Sequence, residues 1–315
     1  MAFYLGIDCG GSQTRCAVGD HSRLLGIGRS GGANIVRLGP DRSRAAIQTA
    51  ILTACEVAAV PLRDIVHTCI GAAGISAPGV KENLRKFAAE LVASTVEVVG
   101  DHEIALEAAF SGGSGVIVEA GTGSIAFGRN AEGKEARCGG YGFAISDEGS
   151  GHWIGRTAVS LCLRASDEGT TTLLKDAILE TWGIGEYDLV KFANMIPPPN
   201  FAELFPVVMK AADAGDAVAV SVLRMTGEEL AELVRIVMSK LWAQAAAPVA
   251  MLGGVLENST MVRAEFARAL SISYPAAQIQ SEIAVPVVGA LSLARKQSEN
   301  TRRRLDRLTA TNPWM

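Results

Sequence analysis

The chain opens on a short apolar run, FYLGID at residues 3–8, closed at once by Cys9-Gly10-Gly11-Ser12. A run this short, stopped by a glycine pair, predicts a buried strand. Thr14 to Val18 predicts a second strand, and His21 to Gly28 a turn and a third, so the start reads as a β-meander. Beyond residue 41 the period changes. Apolar positions 46, 47, 50, 51, 54 and 57 predict a helix from Asp41 to Val60. Then follow a strand at Ile65–Ile70, a helix at Val80–Leu91, a strand at Val96–Val99 ending at Gly100-Asp101, and a helix at Glu103–Phe110.

Ser111-Gly112-Gly113-Ser114-Gly115 is the predicted boundary. After it the pattern restarts: Val116–Val118, glycines at 121–123, then Ile125–Phe127. Strand–Gly loop–strand thus occurs twice, about 110 residues apart, which suggests two lobes of related topology. Helical periods dominate afterwards, over 151–166, 170–182, 186–195, 201–212 and 216–243, with Pro197-Pro198-Pro199 breaking the series. Val249–Leu252 predicts a strand before Gly253-Gly254, Ala276–Gln280 another, and a long helix follows Pro286, from Val287 to about 308.

Of 315 residues, 49% are hydrophobic and 20% charged, enough apolar material for about two packed domains. Lys plus Arg number 29 against 33 Asp plus Glu, a net charge of −4, so the chain lacks the charge of a nucleic-acid binder. Its one basic run, Arg302–Arg304 with Arg307, reads as the solvated face of a last helix. The six cysteines form no CxxC pair, which speaks against zinc and for buried thiols in a reducing cytoplasm. The opening MAFYLGIDCGG lacks the basic region of a signal peptide, and no apolar run is long enough to span a membrane.

Five constellations could carry chemistry. Asp8-x-Gly10-Gly11-Ser12-Gln13-Thr14 sets an acid at a strand end beside a glycine turn. Such a turn can aim backbone N–H groups at phosphate while the acid holds a hydrated Mg²⁺, or it is a tight hairpin and no more. Gly121-Thr122-Gly123-Ser124 repeats the choice. Asp101, between a strand and a helix, is a helix cap or a base for a substrate hydroxyl. Gly139-Gly140-Tyr141-Gly142 with Ser146-Asp147-Glu148-Gly149-Ser150 could grip sugar hydroxyls or cap a helix. Gly253-Gly254 leaves room for a flat base or makes a turn. Gly26-x-Gly28-x-x-Gly31 matches the dinucleotide fingerprint in letters only, since no helix is expected to open at Ala33-Asn34. P-loop, GxSxG and HExxH motifs are absent from the sequence.

In this order the constellations resemble the sugar-kinase/actin/Hsp70 ATPase superfamily. Within it the chain is similar to the N-acetylglucosamine kinase and glucosamine kinase branch, grouped with the BadF/BadG/BcrA/BcrD ATPases. LGIDCGGSQTRCAV matches the first phosphate motif, which implies Asp8, Gly10, Gly11, Ser12, Gln13 and Thr14 near Mg-ATP, with Asp8 on Mg²⁺ through water. SGGANI matches the sugar loop and implies Asn34 on a sugar hydroxyl; IGAAGI implies Gly74 near the sugar. VVGDHEIALEAA implies Asp101 as general base. EAGTGSIAFG matches the second phosphate motif, implying Gly121, Thr122, Gly123 and Ser124 on ATP. CGGYGFAISDEGSGHWIG is the branch signature and implies Gly140, Tyr141, Asp147, Ser150 and Gly151 at the sugar. VAMLGGVLEN matches the adenosine motif, with Gly253 and Gly254, and VPVVGALSLA the second connecting motif.

The resemblance implies an α/β, two-lobed actin-like ATPase (ribonuclease H-like) fold with the ligand cleft between lobes. Residues 1–114 would form the N-terminal lobe, completed by a helix at 290–315, and 115–289 the C-terminal lobe. It implies a cytoplasmic, magnesium-dependent kinase that uses ATP on the 6-hydroxyl of an amino sugar, N-acetylglucosamine or glucosamine, and is a homodimer without nucleic-acid or membrane partners. There are departures: Cys9 and Ser12 stand in the first loop, Glu119 precedes the second, and Val36 and Tyr141 replace tryptophans of the animal N-acetylglucosamine kinases. The zinc-binding cysteines of the ROK branch are missing. Two alternatives share the motifs: an ATPase activator of a 2-hydroxyacyl-CoA dehydratase, and a non-catalytic sugar sensor.

Overall fold

The computed structural model describes residues 2–75, 77–242 and 247–311, with side chains to residue 299. The chain divides into two compact units, Met1–Gly113 with Ala284–Met315, and Ser114–Ile283.

In the first unit β1 (Phe3–Cys9), β2 (Gln13–Gly19) and β3 (Leu24–Gly31) form an antiparallel meander. A four-residue helix α1 (Ile35–Leu38) and α2 (Pro40–Ala58) lead to β4 (Ile65–Ala72), which runs parallel to β1. α3 (Val80–Ala89), β5 (Thr95–Gly100) and α4 (Asp101–Phe110) follow. The sheet order is β3-β2-β1-β4-β5. Leu5, Ile7, Ile47, Ile51 and Ile70 are fully buried between this sheet and its helices. Each such side chain contributes about 1.5–3 kcal/mol of transfer free energy.

The second unit repeats this topology. β6 (Gly115–Ala120), β7 (Ser124–Arg129) and β8 (Glu135–Gly139) make the meander. Helices α5 (Gly151–Asp167), α6 (Leu173–Trp182), α7 (Leu189–Ala193), α8 (Phe205–Asp213) and α9 (Ala217–Leu241) come next. β9 (Pro248–Leu252), α10 (Gly254–Asn258), α11 (Thr260–Ser273) and β10 (Gln278–Ile283) complete the unit. The order β10-β9-β6-β7-β8 mirrors the first sheet strand for strand. The duplication read from the two Gly loops is therefore a duplication of whole sheets. The last helix, α12 (Pro286–Thr311), returns to the first unit and packs on β1, β4 and α4. There Lys296 Nζ and Ser292 Oγ donate to the buried Glu107 carboxylate of α4, at 2.9 and 2.5 Å.

Several boundaries differ from the pattern-based expectation. The segment rejoining the first unit begins at Ala284, not 290, because the chain leaves β10 at Ile283. β8 was not expected: it is an edge strand, buried on one face only, so its apolar signal is weak. β10 covers Gln278–Ile283 rather than 276–280. The spans 186–195 and 201–212 each open as a 3-10 turn before becoming helical. The expected end of α9 at 243, the closing residues 312–315 and the side chains of the basic run at 302–307 lie outside the described residues. Among the described residues no helix is long and apolar enough to cross a membrane.

A helix does open after Asn34, against expectation, but the dinucleotide reading still fails. Gly26 and Gly28 lie inside β3 and present bare Cα atoms to α2. A Cβ at Gly28 would stand 2.1 Å from Ala50 O and 2.5 Å from Ala54 N. Gly28→Ala is expected to destabilise the first unit by about 3 kcal/mol, since helix and strand must separate. A urea midpoint matching the parent's would refute this packing role.

Candidate functional site

Strand direction sets the first unit's site. β1, β4 and β5 run parallel, and the ladder aligns Asp8 with Gly71 and Gly71 with Val99. Their carboxyl ends thus share one edge of the sheet, the edge where open α/β folds bind ligands. Asp8 comes from β1, Gly74 from the turn after β4, and Asp101 from the junction of β5 with α4.

The first hairpin closes by Gly10 N–H donating to Gln13 O at 3.0 Å. Gln13 Oε1 accepts from Arg15 Nε at 2.8 Å, and Ser12 is exposed at the tip. Thr14 is fully buried, and its hydroxyl has no hydrogen-bond partner among the described residues. Burial raises the Asp8 pKa from 3.8 to about 6; Arg15, paired across the ladder, opposes the rise, and the negative charge of Asp101 adds to it. The two carboxylates thus feel one another.

Asp101 is the first residue of α4, which starts two positions earlier than the pattern predicts. The cap belongs to a neighbour: Glu103 Oε1 accepts from Gly100 N–H at 2.9 Å. Asp101 Oδ1 accepts from His102 N–H at 2.9 Å, with His102 Nδ1 at 3.5 Å, and its side chain is 41% exposed. The helix does not need Asp101 as its cap.

The loop at Ser30–Ile35 is fastened to the first hairpin. Ala33 N–H donates to Gly10 O at 3.1 Å, and a Cβ at Gly32 would fall 2.2 Å from Gly11 O. Asn34 caps α1 by accepting from Arg37 N–H at 3.1 Å, a structural duty the sequence reading missed. Half of its amide is therefore engaged before any ligand arrives. Val36 is 65% exposed, and its Cγ2 stands 3.2 Å from the Cβ position of Gly74. Asn34, Val36 and Gly74 are thus brought together.

The second unit holds its own cluster. Gly121 N–H donates to Gly123 O at 2.9 Å, closing the β6–β7 hairpin around Thr122. The signature segment is stitched beneath it: Gly151 N–H donates to Gly121 O at 2.8 Å and Ser124 Oγ to Glu148 O at 2.6 Å. Asp147 is buried at a positive φ of 70°, with Oδ2 only 2.8 Å from the Cβ position of Gly123. Its carboxylate therefore lies against the Gly121–Gly123 hairpin. Ser150 is fully buried and caps α5 by accepting from Trp153 N–H at 3.1 Å. Ser150, Gly151 and Ser124 thus serve to hold the loop. Gly140 follows β8 at a φ of 71°, and Tyr141, 61% exposed, has the Arg137 guanidinium 4.8 Å over its ring. Gly253 meets the end of β6, its Cβ position 2.4 Å from Ala120 O, with Gly254 beginning α10.

Sequence reasoning missed Arg37. It sits inside the apolar-looking SGGANIVRLG stretch, and only the fold of α1 shows that its Nη1 reaches to 3.6 Å from the Cβ position of Gly11.

Known proteins support a common origin. The profile of the BadF/BadG/BcrA/BcrD ATPase family matches residues 5–294. An N-acetylmuramic acid/N-acetylglucosamine kinase of Clostridium acetobutylicum is 32% identical over 95% of this chain and 100% of its own. An N-acetyl-D-glucosamine kinase of Dictyostelium discoideum is 28% identical over 92% of this chain and 97% of its own. Among solved structures, a Chromobacterium violaceum protein assigned as an N-acetylglucosamine kinase superposes with a TM-score of 0.74 at 24% identity, covering 93% of this chain and 99% of that one. At that identity the likeness shows the fold.

Proposed function

The chain belongs to the BadF/BadG/BcrA/BcrD ATPase family, and from that premise we propose that it transfers the γ-phosphoryl group of ATP to the 6-hydroxyl of an amino sugar. N-acetylglucosamine is the first candidate acceptor and glucosamine the second. The observation that carries the reading is the gathering of Asp8, Asp101 and the Asn34 loop at one sheet edge, with Asp8 feeling the charge of Asp101. The kinase names of the full-length relatives support the same choice.

Asp101 accepts the hydroxyl proton and aims the sugar oxygen at phosphorus. Asn34 and the Gly74 turn hold the sugar. We assign the glycine hairpins at Gly10–Ser12 and at Gly121–Gly123 to the phosphates of ATP. Asp8 would hold Mg²⁺ through water, and a pKa of about 6 lets its carboxylate ionise readily at neutral pH. Mg²⁺ bound with the nucleotide would neutralise charge on the transferring group.

Gly121 gives a clean probe of that hairpin, since an added Cβ meets nothing within 4 Å. Gly121→Val is expected to fold normally and to weaken ATP binding at least tenfold while moving the sugar KM little. Unchanged ATP affinity would remove the loop from the site. The function itself is tested by ADP release with Mg-ATP across N-acetylglucosamine, glucosamine, N-acetylmannosamine, N-acetylmuramic acid and glucose. The reading predicts strong stimulation by an amino sugar; ATP turnover indifferent to every sugar would refute it.

A further inference from the structure

We infer that Arg37 is the cation that takes up charge on the phosphoryl group in flight between ATP and the sugar. This rests on the kinase reading above and names a residue of the same site.

Three features of the chain carry it. First, the backbone that carries the side chain is fixed: α1 is one turn long, held at its start by the Asn34 cap and at its end by Gly39 N–H donating to Ile35 O at 2.9 Å. That turn rides on a loop bonded to the first hairpin through Ala33 and Gly10. Second, the guanidinium lies across the hairpin, with Nη1 3.6 Å from the Cβ position of Gly11. It therefore stands where the phosphate loop meets the sugar loop, which is where a phosphoryl group must pass from one ligand to the other. Third, the charge is uncommitted. Among the described residues no carboxylate stands within ion-pair distance of Arg37. Asp8 draws its compensation from Arg15 instead. An exposed arginine held on a capped turn beside a phosphate loop, without a protein anion, is a fork for an anion the protein does not supply.

The step balances without Arg37 changing its proton count. The bond from the γ-phosphorus to the bridging oxygen breaks, and its electron pair leaves with ADP. A bond from the same phosphorus to the sugar oxygen forms, and the hydroxyl proton passes to Asp101. Charge collects on the equatorial oxygens in between, and Arg37 donates hydrogen bonds to them.

The test compares the parent with Arg37→Gln and Arg37→Lys by calorimetry, using ADP and ADP with aluminium fluoride, which imitates the group in flight. Magnesium and the accepted sugar are present throughout. ADP affinity is expected to stay within about twofold in both variants. The fluoride complex is expected to bind about 10²-fold more weakly to Arg37→Gln, with partial recovery in Arg37→Lys. Turnover should fall by about 10²–10³ in Arg37→Gln, with the sugar KM little moved. Equal losses for ADP and its fluoride complex, or no loss in either, would overturn the assignment. Were the parent to show no sugar-dependent turnover, the kinase reading would fall by itself. The fluoride comparison run without sugar would still decide Arg37, because an ATPase passes through the same charged group.

Discussion

Asp101→Asn is expected to lower kcat by about 10²–10⁴ and to leave ATP affinity within about twofold. An amide keeps the shape and can still accept the His102 N–H bond, but it cannot take the proton of a hydroxyl. The fold gives the substitution little structural weight. Glu103 caps the helix at Gly100, and the Asp101 side chain is 41% exposed, so the unfolding midpoint should scarcely move. Removing the carboxylate also relieves Asp8 of its neighbour's charge, so the Asp8 pKa should fall below about 6. Turnover near the parent's would remove Asp101 as the base, and a large loss of stability would return it to a helix-end role.

Asp8→Asn should separate stability from function. The Asp8 carboxyl is held at about 6 in the folded chain against 3.8 in the reference state, chiefly by burial. The folded state therefore binds the proton more tightly than the unfolded state. Between pH 4 and pH 6 the metal-free protein loses stability as pH rises, and above pH 6 the penalty is complete. Two decades of proton affinity at a partly exposed site amount to on the order of 2 kcal/mol. Asn carries no such penalty, so the variant should melt several degrees higher than the parent at pH 8 without nucleotide, and equally with it below pH 4. It should also lose at least about 10²-fold in turnover, because an amide is a poor magnesium ligand. Equal melting of the two proteins at pH 8 would contradict the burial account.

The hairpin glycines were legible in the sequence because short apolar runs stopped by Gly-Gly have few other uses, and their repetition exposed the doubled sheet. Asp101 was legible as an acid at a strand–helix junction, but that Glu103 takes the bond at Gly100 was not. The signature segment was harder. Asp147 and Ser150 sit among small residues in a way that suits a ligand or a loop scaffold, and their contacts with Gly123 and Trp153 are visible only in the fold. Asn34 shows the same ambiguity at shorter range, because a helix of one turn leaves no periodicity to read. Arg37 was invisible for that reason: its placement depends on the cap three residues earlier and on the hydrogen bond between Ala33 and Gly10.

The most direct test of the central claim is the position of the new phosphoester. Parent protein, Mg-ATP and N-acetylglucosamine or glucosamine would be incubated and the product examined by proton–phosphorus correlation spectroscopy. The account predicts one new phosphorus resonance coupled to the two protons on carbon 6, appearing in step with ADP. Coupling to the anomeric proton, or ADP formed with free phosphate and no sugar ester, would contradict it.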